Sequence, residues 1–415
     1  MNPRYRFTRY NTLAGCRLKP LGHLSKAGVA EGEGFEPPAG RPAAVFKTAA
    51  LSRSANPPLP ILQSQPDSVN YNRARFMERL PIAILGAGTV GSALIQLLRD
   101  RRPRLQALGV DPIITGILVR DAGKSRPGVP QALLTEIPEE ALGGAELVIE
   151  LMGGTGLARE LVLRSLEDSH PVITANKALL AECWEELSPY ACEGMLYYEA
   201  AVMAGTPVVG TLCGNLRSNQ TLELHGLFNA TSNFILNRME GGATYANALA
   251  EAQNLGFAEA DPTLDVSGTD AAHKLTVLAR LVADPNFPFA TVRAATRGIT
   301  GLEPTDFMRA KRRGLTIRQL ASLTPAQSGW QAQVRNVLLP RKHPLASIGA
   351  SEAALLYRGD AVGEVFIRGG GAGGRVTASA VLGDLFNYVA GYPGHIPLPE
   401  AEAAPQHSPE QWEEI

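Results

Sequence analysis

Cysteine is scarce: four residues in a chain of 415, at Cys16, Cys183, Cys192 and Cys213, with no CxxC pair among them. The seven histidines are scattered, so neither a disulfide framework nor a zinc spacing is present. A reducing compartment follows, and since no apolar segment succeeds the basic start to make a secretory signal, a cytoplasmic location is expected. No apolar run approaches the roughly 20 residues that cross a bilayer, which removes the membrane as a partner. Neither sign of charge dominates: the net charge of -1 excludes the basic footprint of a nucleic-acid-binding protein. What the chain does have is apolar residues, 45% of the total, enough to bury a substantial core over two or three domains.

The first 76 residues stand apart. They are rich in Arg, Pro, Gly and Ser, and no acid precedes Glu31. An organelle transit segment has such a charge pattern, but Pro37-Pro38, Pro57-Pro58 and Pro60 oppose the amphipathic helix it needs. Residues 1–76 are therefore expected to be a disordered or non-native extension, with Met77 as the working start, and a chain beginning there is expected to fold and act.

Pro81 to Leu85 is a short apolar run followed by Gly86-Ala87-Gly88-Thr89-Val90-Gly91 and a helical pattern. Strand, GxGxxG and helix in that order make a dinucleotide-binding signature. Gly86 serves the tight turn, Gly88 the approach of backbone to a pyrophosphate, and Gly91 close packing of helix on strand. Thr89 and Val90 open the helix whose positive end faces the phosphates. A second strand, Ile113 to Val119, leads to Arg120, Asp121, Lys124 and Arg126. Three cations against one acid lean towards the 2′-phosphate of NADP rather than the free ribose of NAD, solvated loop charge being the competing account. Leu147 to Leu151 and Pro171 to Thr174 read as further parallel strands. Lys177 follows the latter, where ligands of open parallel sheets collect, although a solvent-facing charge would look the same.

Between Ala252 and Lys274 the chain gathers Glu259, Asp261, Asp265, Asp270 and Lys274 around Gly256, Pro262 and Gly268. The helix before Gly256 should end there, the next stretch should be a carboxylate-bearing loop, and a new helix should begin at Thr269 or Asp270. On that helix Ala271, Leu275, Leu278 and Val282 form the apolar stripe, and His273, Thr276 and Arg280 the wettest face. Asp270 and Lys274 fall between. An ordinary i,i+4 pair accounts for them, while the acidic loop upstream suggests a site for a cation or ammonium group.

Past Gly205 the pattern turns to strands at Thr221 to Phe228, Val334 to Leu339, Glu352 to Tyr357 and Val362 to Arg368, the last two as a hairpin. A glycine cluster at 369–374 then enters a helix from Thr377 to Val389. The fold expected is α/β: a Rossmann-type NAD(P)-binding domain over 77–198, completed by 370–392, and an α+β catalytic and dimerisation domain over 199–369 with a mixed, largely antiparallel sheet. Residues 393–415 read as a polar tail, frayed from Pro397 to Ile415.

From about Pro81 to Tyr392 the sequence resembles the homoserine dehydrogenases, which interconvert aspartate 4-semialdehyde and homoserine with NAD(P). The spacing Ala252-x3-Gly256-Phe257-Ala258-x2-Asp261-Pro262-x2-Asp265-Val266-x-Gly268-x-Asp270-x3-Lys274 fits the family signature at each defined position. TANKALLA (174–181), EAAVMAGTPVV (199–209), NATSN (229–233) and GAGGRVTASAV (371–381) are similar to family blocks in the same order. The resemblance makes Lys274 the proton donor, sets Lys177 beside the reacting centre and the cofactor, and has Glu259, Asp265 and Asp270 hold the amino-acid end of the substrate or orient Lys274. It brings Gly371 to the cofactor, and implies a monovalent cation, sodium, on Glu199, Val202, Ala204 and Thr206 through backbone carbonyls and one carboxylate. A small-molecule substrate and a homodimer complete the expectation. Two positions depart from the pattern: Ala230 replaces glycine and Glu352 replaces asparagine. The family's C-terminal regulatory domain has no counterpart here, so insensitivity to threonine is expected. The rival readings are another amino-acid dehydrogenase, a semialdehyde-type enzyme, which would need a cysteine nucleophile no motif supplies, and a non-catalytic NADP sensor, which would not need Lys177 and Lys274.

Overall fold

The computed structural model describes residues 77–327, 329–398 and 408–415; the expectations for residues 1–76 lie outside them. Six parallel strands open the chain: β1 (Glu78–Leu85), β2 (Val110–Leu118), β3 (Leu134–Thr135), β4 (Leu147–Glu150), β5 (Val172–Thr174) and β6 (Leu196–Tyr197). Their order in the sheet is β3-β2-β1-β4-β5-β6, so the direction of winding reverses between β1 and β4, where open sheets of this kind bind dinucleotides. Ile82, Ala83, Ile84 and Leu85 are buried on both faces of the sheet, which is why β1 reads as a continuous apolar run rather than an alternation. The crossovers are α1 (Thr89–Ala107), α2 (Pro138–Leu142), α3 (Leu157–Glu167), α4 (Lys177–Glu182) and α5 (Trp184–Cys192).

After α6 (Val209–Cys213) a second sheet begins with β7 (Thr221–Leu227). Helices α7 (Ala230–Glu240), α8 (Tyr245–Asn254), α9 (Thr263–Val266), α10 (Thr269–Val282), α11 (Phe289–Ala294) and α12 (Pro304–Arg312) follow, then the long hairpin β8 (Leu315–Ala326) and β9 (Gly329–Pro340) and the hairpin β10 (Glu352–Gly359) and β11 (Gly363–Gly370). Helix α13 (Gly374–Val389) and a short strand β12 (Glu413–Glu414) complete the chain. The sheet order is β11-β10-β7-β8-β9-β12 and these strands pair antiparallel, while a bridge from Thr296 to Val334 of β9 runs parallel, so the sheet is largely antiparallel, as expected. The α9 turn interrupts the expected acidic loop.

Two further expectations are corrected. The tail is not frayed over 408–415: Glu413 and Glu414 pair with Leu338 and Val337. Nor does α10 have a wet face. His273, Thr276 and Arg280 are all buried, because α10 lies against α4 on one side and against β8 and β9 on the other. Their polar atoms are satisfied inside: Arg280 donates to the carbonyls of Phe287, Leu180 and Ala181, Thr276 to Ala272, and His273 meets Glu182.

Helix α13 starts three residues before the position its sequence pattern suggests and returns to the first sheet. Its Ala378, Val381 and Leu385 share a core with Leu94, Ile95 and Leu98 of α1.

Candidate active site

Three chain ends converge on one carboxylate. β5 runs into Asn176, whose side chain accepts the Leu179 N–H and caps α4, placing Lys177 on the first turn. β7 runs into Asn229, whose Oδ1 accepts the Ser232 N–H and caps α7. Gly268, at φ 82°, turns the chain into α10 in a conformation that favours glycine. Asp270 sits between them. Its Oδ1 lies 3.1 Å from Lys177 Nζ and its Oδ2 is 2.7 Å from Lys274 Nζ. Lys274 also donates to the Phe228 carbonyl at 2.7 Å. The amide nitrogen of Asn229 donates to both Asp270 Oδ2 and Asp265 Oδ1, each at 2.7 Å.

Burial alone would push the Asp270 carboxyl up, but the two ammonium groups and the Asn229 amide outweigh it and hold it well below the ordinary range. In return the Asp270 charge raises Lys177, against its own desolvation. Lys177 keeps 39% of its side chain exposed while Lys274 keeps 11%, so one ammonium faces the cleft and the other lies deeper. Asp265 differs: burial raises its carboxyl, the Asn229 hydrogen bond opposes this, and no salt bridge balances it among the described residues. A half-buried carboxylate in that condition favours a cationic ligand. Glu259 and Asp261 are exposed. The Glu259 charge reaches Lys177, whereas Asp261 turns onto Thr263 and caps its own loop.

The GxGxxG segment has the shape its residues require. Gly86 has φ 105°, and a Cβ on Gly91 would lie 2.1 Å from the Gly86 carbonyl oxygen. Gly88, at the N-cap of α1, has open space around its Cα. No side chain caps α1 and no acid occupies its first turn, which leaves its N–H groups to an anion such as a pyrophosphate. Arg120 is exposed just beyond β2, and no hydrogen bond or salt bridge holds its guanidinium among the described residues. Arg126, by contrast, closes its loop on the carbonyls of Asp121 and Lys124.

Gly371 lies against β10, where a Cβ would meet the Ala353 nitrogen at 2.9 Å, and a Cβ on Gly374 would meet Thr89 Cγ2 of α1 at 2.6 Å. Of the glycine cluster it is Gly374 that touches the nucleotide-binding helix. Ala230 is an ordinary first helical residue of α7 without positive φ, so its Cβ imposes no strain. Glu352 pairs with Arg368 at 2.6 Å and accepts the Gly349 N–H.

In the Glu199–Thr206 turn, Met203 and Ala204 take φ of 56° and 53°. The carbonyls of Val202 and Ala204 accept no hydrogen bond among the described residues, and the Thr206 hydroxyl donates to the Gly370 carbonyl at 3.3 Å. Glu199 accepts the N–H groups of Val208, Val209 and Gly210 at 2.6 to 2.9 Å, so its carboxylate also braces the turn that carries these carbonyls.

Sequence reasoning misses Asn229 and the Phe228 carbonyl as members of the site. The N-cap character of Asn229 before a helix is the signal that could have found it.

A family model described as homoserine dehydrogenase matches residues 207–386, and one described as homoserine dehydrogenase, NAD binding domain, matches 86–195. The homoserine dehydrogenase of Corynebacterium glutamicum is 41% identical over 318 residues, 73% of this chain and 70% of the relative. That of Neisseria gonorrhoeae is 36% identical over 317 residues, 75% and 72% of the two chains. Among solved structures, a homoserine dehydrogenase from Thiobacillus denitrificans aligns with a TM-score of 0.72 at 35% identity, covering 76% of this chain and 74% of that one. A hyperthermophilic archaeal homoserine dehydrogenase in complex with NADPH aligns at 0.64 and 26% identity, covering 76% and 99%.

Proposed function

The chain belongs to the homoserine dehydrogenase family, and on that premise we propose that Lys274, Lys177 and the carboxylates around them carry its reaction on aspartate 4-semialdehyde and homoserine. The enzyme binds NAD(P). The observation that carries the site assignment is the Lys177–Asp270–Lys274 chain of ion pairs, which fixes two ammonium groups on one carboxylate. The bound nicotinamide supplies the hydride that the aldehyde carbon receives. Negative charge then grows on the aldehyde oxygen, and a positioned ammonium both stabilises it and delivers a proton. Lys274 has three N–H bonds, two of them held by Phe228 and Asp270, so its third is aimed by the other two. Lys177 adds a second positive charge from the cleft side. Asp265, with Glu259 at the rim, takes the substrate's α-ammonium, which answers the unbalanced charge on Asp265. In the reverse direction the same lysine, once neutral, accepts the alcohol proton.

Gly86, Gly88, Thr89, Val90 and Gly91 would hold the pyrophosphate, with Lys177 and Gly371 nearer the nicotinamide. Arg120 is assigned to the 2′-phosphate of NADP. Arg120→Ala is expected to weaken NADPH by about 10- to 100-fold, the size of a lost charge-assisted hydrogen bond, and to leave NADH nearly unchanged. Fluorescence titration of both cofactors checks this; equal losses would make Arg120 a general electrostatic residue. The carbonyls of Val202 and Ala204, with Glu199 and Thr206, would hold a weakly bound monovalent cation such as sodium. A homodimer in the cytoplasm belongs to the same reading, and no helix among the described residues is long and apolar enough to cross a membrane. An assay of NADPH oxidation with aspartate 4-semialdehyde, repeated with NADH, tests the whole.

A further inference from the structure

A second cluster of ligand-type side chains lies on β7, outside the lysine site. Glu223 and His225 are two residues apart on that strand and so face the same side. They are only 2% and 1% exposed. Residues 408–415 return across this face. Trp412 sets its ring edge-on to His225 and His343, and the Glu410 N–H donates to Glu223 Oε2 at 2.9 Å. One ligand atom each from Glu223, His225 and Glu410 lie within 4.8 Å of one another.

The decisive atom is Nε2 of His225. It is sealed from solvent and makes no hydrogen bond, although Glu223 Oε2 stands 3.3 Å away. On the other edge of the ring, Nδ1 lies 3.0 Å from Ser322 Oγ. When Nδ1–H donates to that hydroxyl, Nε2 turns a lone pair towards carboxylate oxygens, and only a positive species between them removes the repulsion. A proton or a metal ion meets that need. In a tetrahedral site with bonds of about 2.0 Å the donor atoms stand about 3.3 Å apart, the separation of His225 and Glu223 here. Glu410 has only to close on that edge.

The surroundings orient these donors as metal sites require. Ser322 holds the Nδ1 edge of the His225 ring. Arg358 holds the other Glu223 oxygen, and Glu364 balances the Arg358 charge. His343 accepts the Leu345 N–H through Nδ1, so its proton is on Nε2, which faces Glu410 Oε2 at 3.8 Å. His343 thus orients Glu410 and is not itself a ligand.

We propose that Glu223, His225 and Glu410 bind one divalent cation of the zinc class, with water as the fourth ligand, and that the ion fastens the C-terminal segment to the second sheet. One imidazole and two carboxylates form the mixed nitrogen and oxygen set that zinc or cobalt takes, and that magnesium and calcium do not prefer. The site is independent of the hydride chemistry.

The full-length protein is stripped with chelator, loaded with Zn²⁺, freed of excess and analysed for metal; Co²⁺ loading gives a visible spectrum as a second readout. One equivalent per chain is expected in the wild type. Glu410→Gln, on the half-buried tail, should fold and turn over normally but bind at least about 10-fold more weakly. His225→Gln should abolish binding. Hydrogen exchange over residues 408–415 should slow with Zn²⁺ in the wild type and not in Glu410→Gln. Absence of stoichiometric metal in the wild type would assign a proton to Nε2 and overturn the proposal. So would metal binding unchanged in Glu410→Gln, which would put the ion elsewhere. Should His225→Gln fail to fold, the Glu410→Gln comparison decides alone.

Discussion

Lys274→Ala is expected to lower kcat by roughly 10²- to 10⁴-fold, the range general acid catalysis contributes, while cofactor affinity barely changes. Two of the three Lys274 N–H bonds are fixed by the Phe228 carbonyl and Asp270, so the remaining proton has a set direction before substrate arrives. On the proposed roles, alanine removes the proton source and one of the two charges facing the developing alkoxide. Both act mainly in the transition state, so kcat and kcat/KM should fall together. Lys177→Ala is the informative partner. Lys177 is more exposed and among the described residues pairs only with Asp270, so its loss should raise KM as well as lower kcat. Single-turnover kinetics with both variants checks the division. Near wild-type turnover in Lys274→Ala would reduce that residue to a structural ion-pair partner.

The parts of this site that lie in one stretch of sequence are legible from the residues alone. Gly86 to Gly91 announce their turn because Gly86 and Gly91 answer local steric demands, and the Ala252 to Lys274 spacing announces an acid-rich helix entry. What the residues alone do not disclose is which carboxylate both lysines share, since Lys177 and Asp270 meet only when α4 packs on α10. Asn229 is hidden for the same reason: its cap is local, but its two hydrogen bonds to Asp265 and Asp270 span from β7 to α9 and α10.

Where the fold departs from expectation, the common physical cause is polar residues whose partners are distant. β8 escapes a reading by pattern because it is buried on both faces and yet carries Arg318, Gln319 and Ser322, which destroys the period-two alternation. Arg318 is tolerated there because Glu240, Thr316 and two backbone carbonyls take the donors of its two terminal nitrogens, leaving Nε without a partner among the described residues. Arg280 and His273 mislead in the same way on α10. In the tail, polarity conceals β12 and the docking of Trp412.

Asp270→Asn should cost the enzyme more than any other single change of equal size, in stability and in rate at once. The substitution keeps the shape but leaves two ammonium groups near an amide whose nitrogen is itself a donor. Removing one partner of a buried ion pair costs about 3–5 kcal/mol; the part owed to Lys177 is smaller because its side chain is 39% exposed. The folded Asp270 carboxyl is held below its ordinary range, so its contribution is fully present above the normal carboxylate pKa of about 4 and is lost only as pH falls further. The stability gap between wild type and variant should therefore be flat near neutrality and narrow in strong acid. At the other end, Asp270 is the first cause of the raised Lys177. Without that charge Lys177 loses its proton at lower pH, and the alkaline limb of kcat/KM should move towards neutrality. Denaturant melts between pH 3 and 9 and a pH–rate profile measure both effects. A variant with unchanged stability and an unmoved alkaline limb would show that Asp270 does not hold Lys177 in its charged state.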